Sequence, residues 1–124
     1  MGLAHPPAAT REWFASNGAA GWAICSSTES GFVRVSSNPT VLPSPIGVQE
    51  TRSALALLRA VGSHSFLADD VSMTDDDVPP LLGHRQVSDA HLLILARRHG
   101  VRVVTFDGGI RALGGPDVEL LRAF

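Results

Sequence analysis

Lysine is missing from this chain, and only one cysteine is present. All ten cationic residues are arginine. Planar arginine forks suit phosphate recognition, but the bias, together with abundant alanine and glycine, also fits genomic base composition, and we favour that explanation. The single Cys25 cannot form an internal disulfide, so a reducing, cytoplasmic setting is the simplest expectation. Because Cys25 lies in an apolar run, we expect it in the core rather than as a nucleophile.

Long apolar runs and charged tails are absent as well. No run approaches the roughly 20 residues that cross a bilayer, and the start lacks the basic region and apolar core of a secretory signal. We therefore expect no membrane partner. The net charge is −2 without a polybasic patch, so charge neither supports nor excludes a nucleic-acid substrate. A hydrophobic content of 44% in 124 residues fits a single globular domain over residues 1–124.

Strand-like and helix-like segments alternate along the chain. Four short apolar runs are predicted as strands: 21–25, 64–68, 101–106 and 118–121. Helices are predicted over 8–16, 29–35, 48–61, 88–99 and 108–113, with a further short helix capped by Thr74. Alternation of this kind is typical of an α/β fold with a parallel sheet.

The prediction of a functional site starts from the segment between Val87 and Asp107. Its pattern predicts a helix capped by Ser88, a glycine stop at Gly100 and a buried strand, with Asp89 in the first helical turn and Asp107 just after the strand. In an open α/β sheet, helix N-termini and strand C-termini share the rim where ligands bind. Both aspartates are predicted on that rim, although each alone is better explained as a first-turn or turn residue.

A third acid, Glu29, also follows a strand and opens a helix, so it is predicted on the same rim. Three neighbouring carboxylates raise each other's pKa and cannot all ionise cheaply without a cation. Mg²⁺ and Mn²⁺ prefer oxygen ligands. Such ions activate water and stabilise charge that develops on phosphate. Glu29, Asp89 and Asp107 are therefore the candidate catalytic and metal-binding residues, although composition and spacing alone favour capping and turn roles for them.

Three motifs give the chain a family resemblance: TESGFVRVSSNP (28–39), GHRQVSDAHLLILARRHG (83–100) and VVTFDGGI (103–110). Together they resemble VapC-type toxin ribonucleases of the PIN-domain family, over almost the whole chain. The resemblance implies an α/β/α sandwich with a parallel sheet and a Mg²⁺- or Mn²⁺-dependent endoribonuclease acting on tRNA or other RNA. It also implies a VapB-type antitoxin partner and a homodimer. The family's second, third and fourth acids match Glu29, Asp89 and Asp107, and the last acid varies most in its role.

The start of the chain departs from that family. Family members begin with a central strand that ends in a metal-binding aspartate, whereas residues 1–5 resemble the sequence after that strand and no aspartate precedes Asp69. We expect the sheet to lack this first strand here, and a recorded start placed too late is the favoured explanation. The alternative function is a catalytically inactive PIN-like fold that binds an antitoxin or RNA.

Two arginines are weaker candidates for binding RNA phosphates. Arg34 and Arg85 flank the predicted acids in sequence, but solvated or ion-paired arginines explain them equally well. The acidic runs at 69–70 and 75–77 are better explained by capping and a solvated loop than by a second metal site.

Overall fold

The computed structural model describes residues 8–40 and 47–121 and divides the chain into two compact units, residues 1–68 (unit 1) and 69–124 (unit 2). Residues 1–7, which include the departure from the family's start, lie outside the described part, as do 41–46 and 122–124. None of the helices within 8–40 and 47–121 is long and apolar enough to cross a membrane.

Unit 1 contains three helices and one pair of strands in its described residues: α1 (Ala8–Asn17), β1 (Trp22–Cys25), α2 (Ser26–Ser36), α3 (Val48–Leu58) and β2 (His64–Leu67). The strands are parallel, with Trp22 opposite His64 and Cys25 opposite Leu67. Edge-to-face ring contacts join Phe14 to Trp22 at 5.0 Å and Trp22 to His64 at 4.5 Å. Aromatic packing of this geometry is favourable beyond the area that it buries, so it holds α1 against the start of both strands.

Two turns of unit 1 meet at Gly62, where only glycine fits. Its φ of +59° lies in the left-handed region, and a Cβ there would collide with the Gly18 carbonyl. The approach allows Ser63 N–H to donate to the Gly18 carbonyl at 3.0 Å, and Trp22 Nε1 donates to the Val61 carbonyl at 2.7 Å. The turn after α1 is therefore bonded directly to the turn before β2.

Unit 2 holds most of the buried core. Its elements are a 3₁₀ turn (His84–Gln86), α4 (Val87–Arg98), β3 (Val103–Thr105), α5 (Gly108–Gly114), a second 3₁₀ turn (Gly115–Asp117) and β4 (Val118–Leu120). β3 and β4 are parallel, with Val103 opposite Val118. A cluster of buried side chains joins α4, α5 and this strand pair: Leu93, Ala96, Val103, Ile110 and Val118. Gly100, at a φ of +67°, follows α4 as its predicted stop.

The α/β class and parallel pairing are confirmed, since each predicted strand and long helix is present within one to three residues at its ends. Within the described residues the strands form two separate two-stranded sheets, β1 with β2 and β3 with β4. The expectation of a single domain stays a prediction.

Two local predictions are wrong. Thr74 does not cap a helix: residues 73–78 are turns and bends, because Arg98 of α4 binds the carboxylates of Asp75 and Asp77, each at 2.7 Å. Ser88 is not the N-cap of α4 either. The 3₁₀ turn runs directly into the helix, so the cap position falls on Gln86 and Ser88 already lies in the first turn.

Candidate active site

Asp89 and Asp107 come together in unit 2. α4 starts at Val87, which places Asp89 in its first turn, and Asp107 follows β3 as the N-cap of α5. Burial, and then the negative charge of Asp107, raise the pKa of the Asp89 carboxyl. The two acids predicted from helix start and strand end therefore lie within electrostatic reach of each other, as the rim argument for α/β sheets expects.

Asp107 is held rigidly by its own turn. Its Oδ1 accepts a hydrogen bond from Gly109 N–H at 2.8 Å, and its own N–H donates to Thr105 Oγ1 at 3.0 Å. One carboxylate oxygen thus caps α5, which leaves the other with lone pairs available for a ligand.

Gly109 leaves the space beside the two carboxylates open. A Cβ at this position would stand 3.1 Å from Asp107 Oδ1 and 3.6 Å from Asp89 Oδ2. One point in space is therefore close to an oxygen of each acid, and the missing side chain keeps it accessible.

This donor set fits a hard divalent cation. Both donors are carboxylate oxygens. Burial, and then the negative charge of Asp107, raise the pKa of Asp89; a bound cation offsets that charge. Within each unit, the described residues contain no group of three or more histidine, cysteine, aspartate or glutamate side chains arranged to hold a metal. Two carboxylates with remaining positions filled by water is the arrangement that Mg²⁺ commonly adopts.

Glu29 lies in unit 1, in the first turn of α2. Its side chain is 19% exposed, and its Oε2 lies 3.6 Å from Arg59 Nη1. That oxygen is buried without a hydrogen bond among the described residues. Because Glu29 and the aspartate pair belong to different units, a single site for all three acids stays a prediction.

The start of α2 explains why Glu29 is presented at a helix end. Cys25 N–H donates to Thr28 Oγ1 at 3.1 Å, and the Thr28 hydroxyl donates to the Cys25 carbonyl at 2.9 Å. This reciprocal pair fixes the chain as it leaves β1 and enters the helix. Glu29 follows Thr28 directly, so its carboxylate is held beside the positive end of the helix dipole.

The two predicted RNA-binding arginines are exposed. Arg34 lies in the last turn of α2 and lines an open groove that also contains Glu29. Arg85 lies in the 3₁₀ turn before α4. Among the described residues, neither has a carboxylate partner within 4.0 Å. Their role in binding RNA stays a prediction.

Sequence reasoning missed several neighbours of the acids. Arg59 and Gly109 carried no recognisable signal, since one is a helix-end arginine 30 residues from its partner and the other a turn glycine. The Thr105-x-Asp107 spacing was a usable signal, because a hydroxyl two residues before an aspartate can accept its N–H. The contact of His91 Nε2 with Asp69 Oδ2 at 2.7 Å, which lowers the pKa of Asp69, was likewise unforeseen.

Comparison with known proteins decides the family. The chain is 65% identical to Ribonuclease VapC38 of Mycobacterium tuberculosis over 103 residues, which are 83% of this chain and 73% of the relative. The chain belongs to the VapC family of ribonucleases. Two further VapC proteins of the same organism match: VapC44 is 40% identical over 86% of this chain and 76% of its own length, and VapC39 is 37% identical over 83% and 76%. No family model matches the chain.

Membership of the VapC family confirms the resemblance drawn from the three sequence motifs and the PIN-like α/β class that it implied. Asp89 and Asp107 both lie within those motifs, as does Glu29. The metal ion and the catalytic role of each acid in this VapC chain remain predictions.

Proposed function

We propose that this VapC-family chain is a Mg²⁺- or Mn²⁺-dependent endoribonuclease that hydrolyses RNA phosphodiester bonds in the cytoplasm. The observation that carries the proposal is the Asp89–Asp107 pair, in which burial and a like charge raise the pKa of Asp89. Similarity to proteins named as ribonucleases supports the choice of RNA as substrate. A cation bound by the pair supplies an activated water and neutralises charge that develops on the phosphate.

The protein side chains contribute position and charge. Asp107 is oriented by its bond from Gly109 N–H, and Asp89 by the first turn of α4. Hard divalent ions are bound by one or two carboxylates in phosphate-processing sites, with water at the other positions. Glu29 is the third proposed acid, and its Oε2 lies 3.6 Å from Arg59 Nη1. Arg34 and Arg85 are proposed to hold RNA phosphates.

We further propose that the chain is the toxin of a VapBC-type toxin–antitoxin system. The names of its relatives support a VapB-type antitoxin as its partner, and we propose that the active form is a homodimer. An antitoxin that blocks the site would bring a cation to the acidic pair, because two neighbouring carboxylates are stabilised by an opposite charge.

The test is cleavage of mixed tRNA and single-stranded RNA by the 124-residue chain, with Mg²⁺ or Mn²⁺ and with EDTA. We expect metal-dependent cleavage that falls by at least about 10–100-fold in Asp89→Asn, the loss typical of disturbing even the groups that support a metal ligand. Asp107→Asn should lose activity while remaining folded, because asparagine caps a helix as well as aspartate.

Matched controls separate the site from general loss of charge. Asp70→Asn removes an exposed aspartate of the same unit. Glu50→Gln removes a first-turn acid of α3 and is the counterpart of Glu29→Gln in α2. Both controls should cleave at the wild-type rate. No aspartate precedes Asp69, so the assay also asks whether Glu29, Asp89 and Asp107 suffice; absence of cleavage by a folded chain would contradict the proposal.

A further inference from the structure

An open groove runs between α2 and α3 in unit 1. Its walls come from both helices: Glu29, Ser30, Val33, Arg34 and Ser37 on α2, and Val48, Arg52, Leu55, Ala56 and Arg59 at α3 and its end. Three of the four arginines in residues 1–68 line it. The groove therefore concentrates the arginines of residues 1–68.

Two of these guanidinium groups are not neutralised. Arg52 Nη1 donates to Gln49 Oε1, a neutral acceptor, at 2.8 Å, and no described carboxylate lies within 4.0 Å of Arg52 or Arg34. In unit 2, by contrast, Arg97 and Arg98 each bind aspartate at 2.7 Å. The groove arginines thus keep most of their donors for an anionic ligand.

Arg59 links the groove to the candidate catalytic acid. Its Nη1 lies 3.6 Å from Glu29 Oε2, longer than the roughly 2.7–2.9 Å of a charge-assisted hydrogen bond. The guanidinium also lies 5.0 Å from the centre of the Phe66 ring, in cation–π geometry. Arg59 is therefore held at the groove by two weak contacts that leave further N–H groups for a ligand.

Arg52 of α3 and Arg59 at its C-cap are spaced for a linear ligand. Arg52 and Arg59 are seven residues apart, which places them on one side of the helix and about 10 Å apart along its axis. Arg34 faces them from α2. Positive groups on both walls, separated along the groove, match a polyanion that lies lengthwise in it.

We propose that the α2–α3 groove binds the sugar–phosphate backbone of single-stranded RNA through Arg34 and Arg52, with Arg59 at the end beside Glu29. This inference rests on the proposed ribonuclease function and assigns the path of the substrate. Arginine forks bind phosphate in bidentate fashion. The apolar wall formed by Val33 and Leu55 provides a surface for unpaired bases, which are the part of RNA that proteins commonly contact.

The test measures RNA binding without cleavage. Fluorescence anisotropy of a labelled oligouridylate is recorded in EDTA over a range of salt concentrations, for the wild-type chain and for the Arg34→Ala/Arg52→Ala double variant. We expect weaker binding by the double variant and a plot of log K against log salt that is shallower by about 0.7 for each phosphate group that the variant no longer binds. Both sites are exposed, and circular dichroism establishes that the variant is folded.

Two controls make the result specific. Arg102→Ala removes an exposed arginine of unit 2 and should leave both affinity and slope unchanged. Arg34→Lys/Arg52→Lys keeps the point charges, so it should keep the slope while binding RNA more weakly, because lysine cannot form the bidentate bonds.

An unchanged slope and affinity in the folded alanine variant would overturn the proposal. So would binding of an oligoglutamate peptide that depends on Arg34 and Arg52 when RNA binding does not, since the groove would then be a protein-docking surface. Because the assay contains no metal ion, its outcome is independent of whether the chain cleaves RNA.

Discussion

The position of Asp89 affects the stability of its ionised carboxylate in two opposite ways. As a first-turn residue of α4 it benefits from the helix dipole, but burial and the charge of Asp107 raise its pKa. A raised pKa means that the unfavourable effects exceed the favourable one. Ionised Asp89 therefore costs the metal-free protein stability, which is the situation expected of a residue selected for binding rather than for folding.

Replacing this residue should make the metal-free chain more stable. Because the folded pKa lies above the unfolded value of about 3.9, the destabilisation is fully present above the folded pKa and absent below the unfolded one. Asp89→Asn should thus unfold at a higher temperature than wild type at neutral pH in EDTA, and the difference should vanish as the pH falls below about 4. Thermal melts across this range measure it.

Adding Mn²⁺ should reverse the order of the melting temperatures of wild type and Asp89→Asn. A ligand that binds only the folded state raises its stability, so the wild type should gain melting temperature while Asp89→Asn gains less. Asp70→Asn, which changes an exposed aspartate of the same unit, serves as the control in both series. Equal Mn²⁺ responses in wild type and Asp89→Asn would contradict a metal site at Asp89.

At the scale of elements, α5 packs closely against its neighbours at Gly114. A Cβ on Gly114 would stand 2.5 Å from Val118 Cγ2 and 2.8 Å from Leu93 Cδ1. Its φ of −95° and ψ of −15° are open to any residue. The restriction is therefore one of space, where α5 packs on α4 and β4.

Gly114→Ala should consequently lower the free energy of unfolding by about 1–3 kcal/mol, the usual cost of overpacking. Gly108→Ala is the matched control at the other end of α5, because a Cβ there meets nothing within 4 Å. Urea unfolding of both variants measures the difference. Equal midpoints for the two would show that α5 can move away from α4 at little cost.

The elements themselves were predictable because their signals are local. Gly100 ended α4 as its sequence indicated, and the apolar run at Val103 formed β3. The prediction for the loop at 73–78 failed because its structure is set by Arg98, which lies 21 to 23 residues from the aspartates that it binds. The positions of Asp89 at a helix start and Asp107 at a strand end followed from local signals of the same kind. The position of Arg59 beside Glu29 depends on a contact between residues 30 apart in sequence.

At the scale of the whole molecule, burial is unevenly distributed. Every buried hydrophobic residue of the described chain except Cys25 belongs to unit 2, and four consecutive residues of α4, from Leu93 to Ala96, are buried. In unit 1 the large apolar side chains Leu57 and Phe66 are 73% and 43% exposed. Local stability follows the density of buried contacts.

Native-state hydrogen exchange should therefore show different amide protection in the two units. Amides of α4 and β3 should be the most protected, and those of α3 and β2 should exchange faster, with lower opening free energies. Exchange measured by mass spectrometry on peptides from residues 87–105 and 48–67 tests this. Greater protection in the second peptide set would contradict the assignment of the main core to unit 2.

Chemical modification of Cys25 can report local opening of the structure. The residue is 2% exposed, at the junction of β1 and α2. Burial raises the thiol pKa, but hydrogen bonds from Ser27 and Thr28 outweigh it, and the net pKa is lowered. Since the chain has no lysine and no second cysteine, a thiol-selective reagent has one target, and that target reacts as a thiolate once it is reached. The modification rate of the unlabelled, unmutated protein thus measures how often the β1–α2 junction opens.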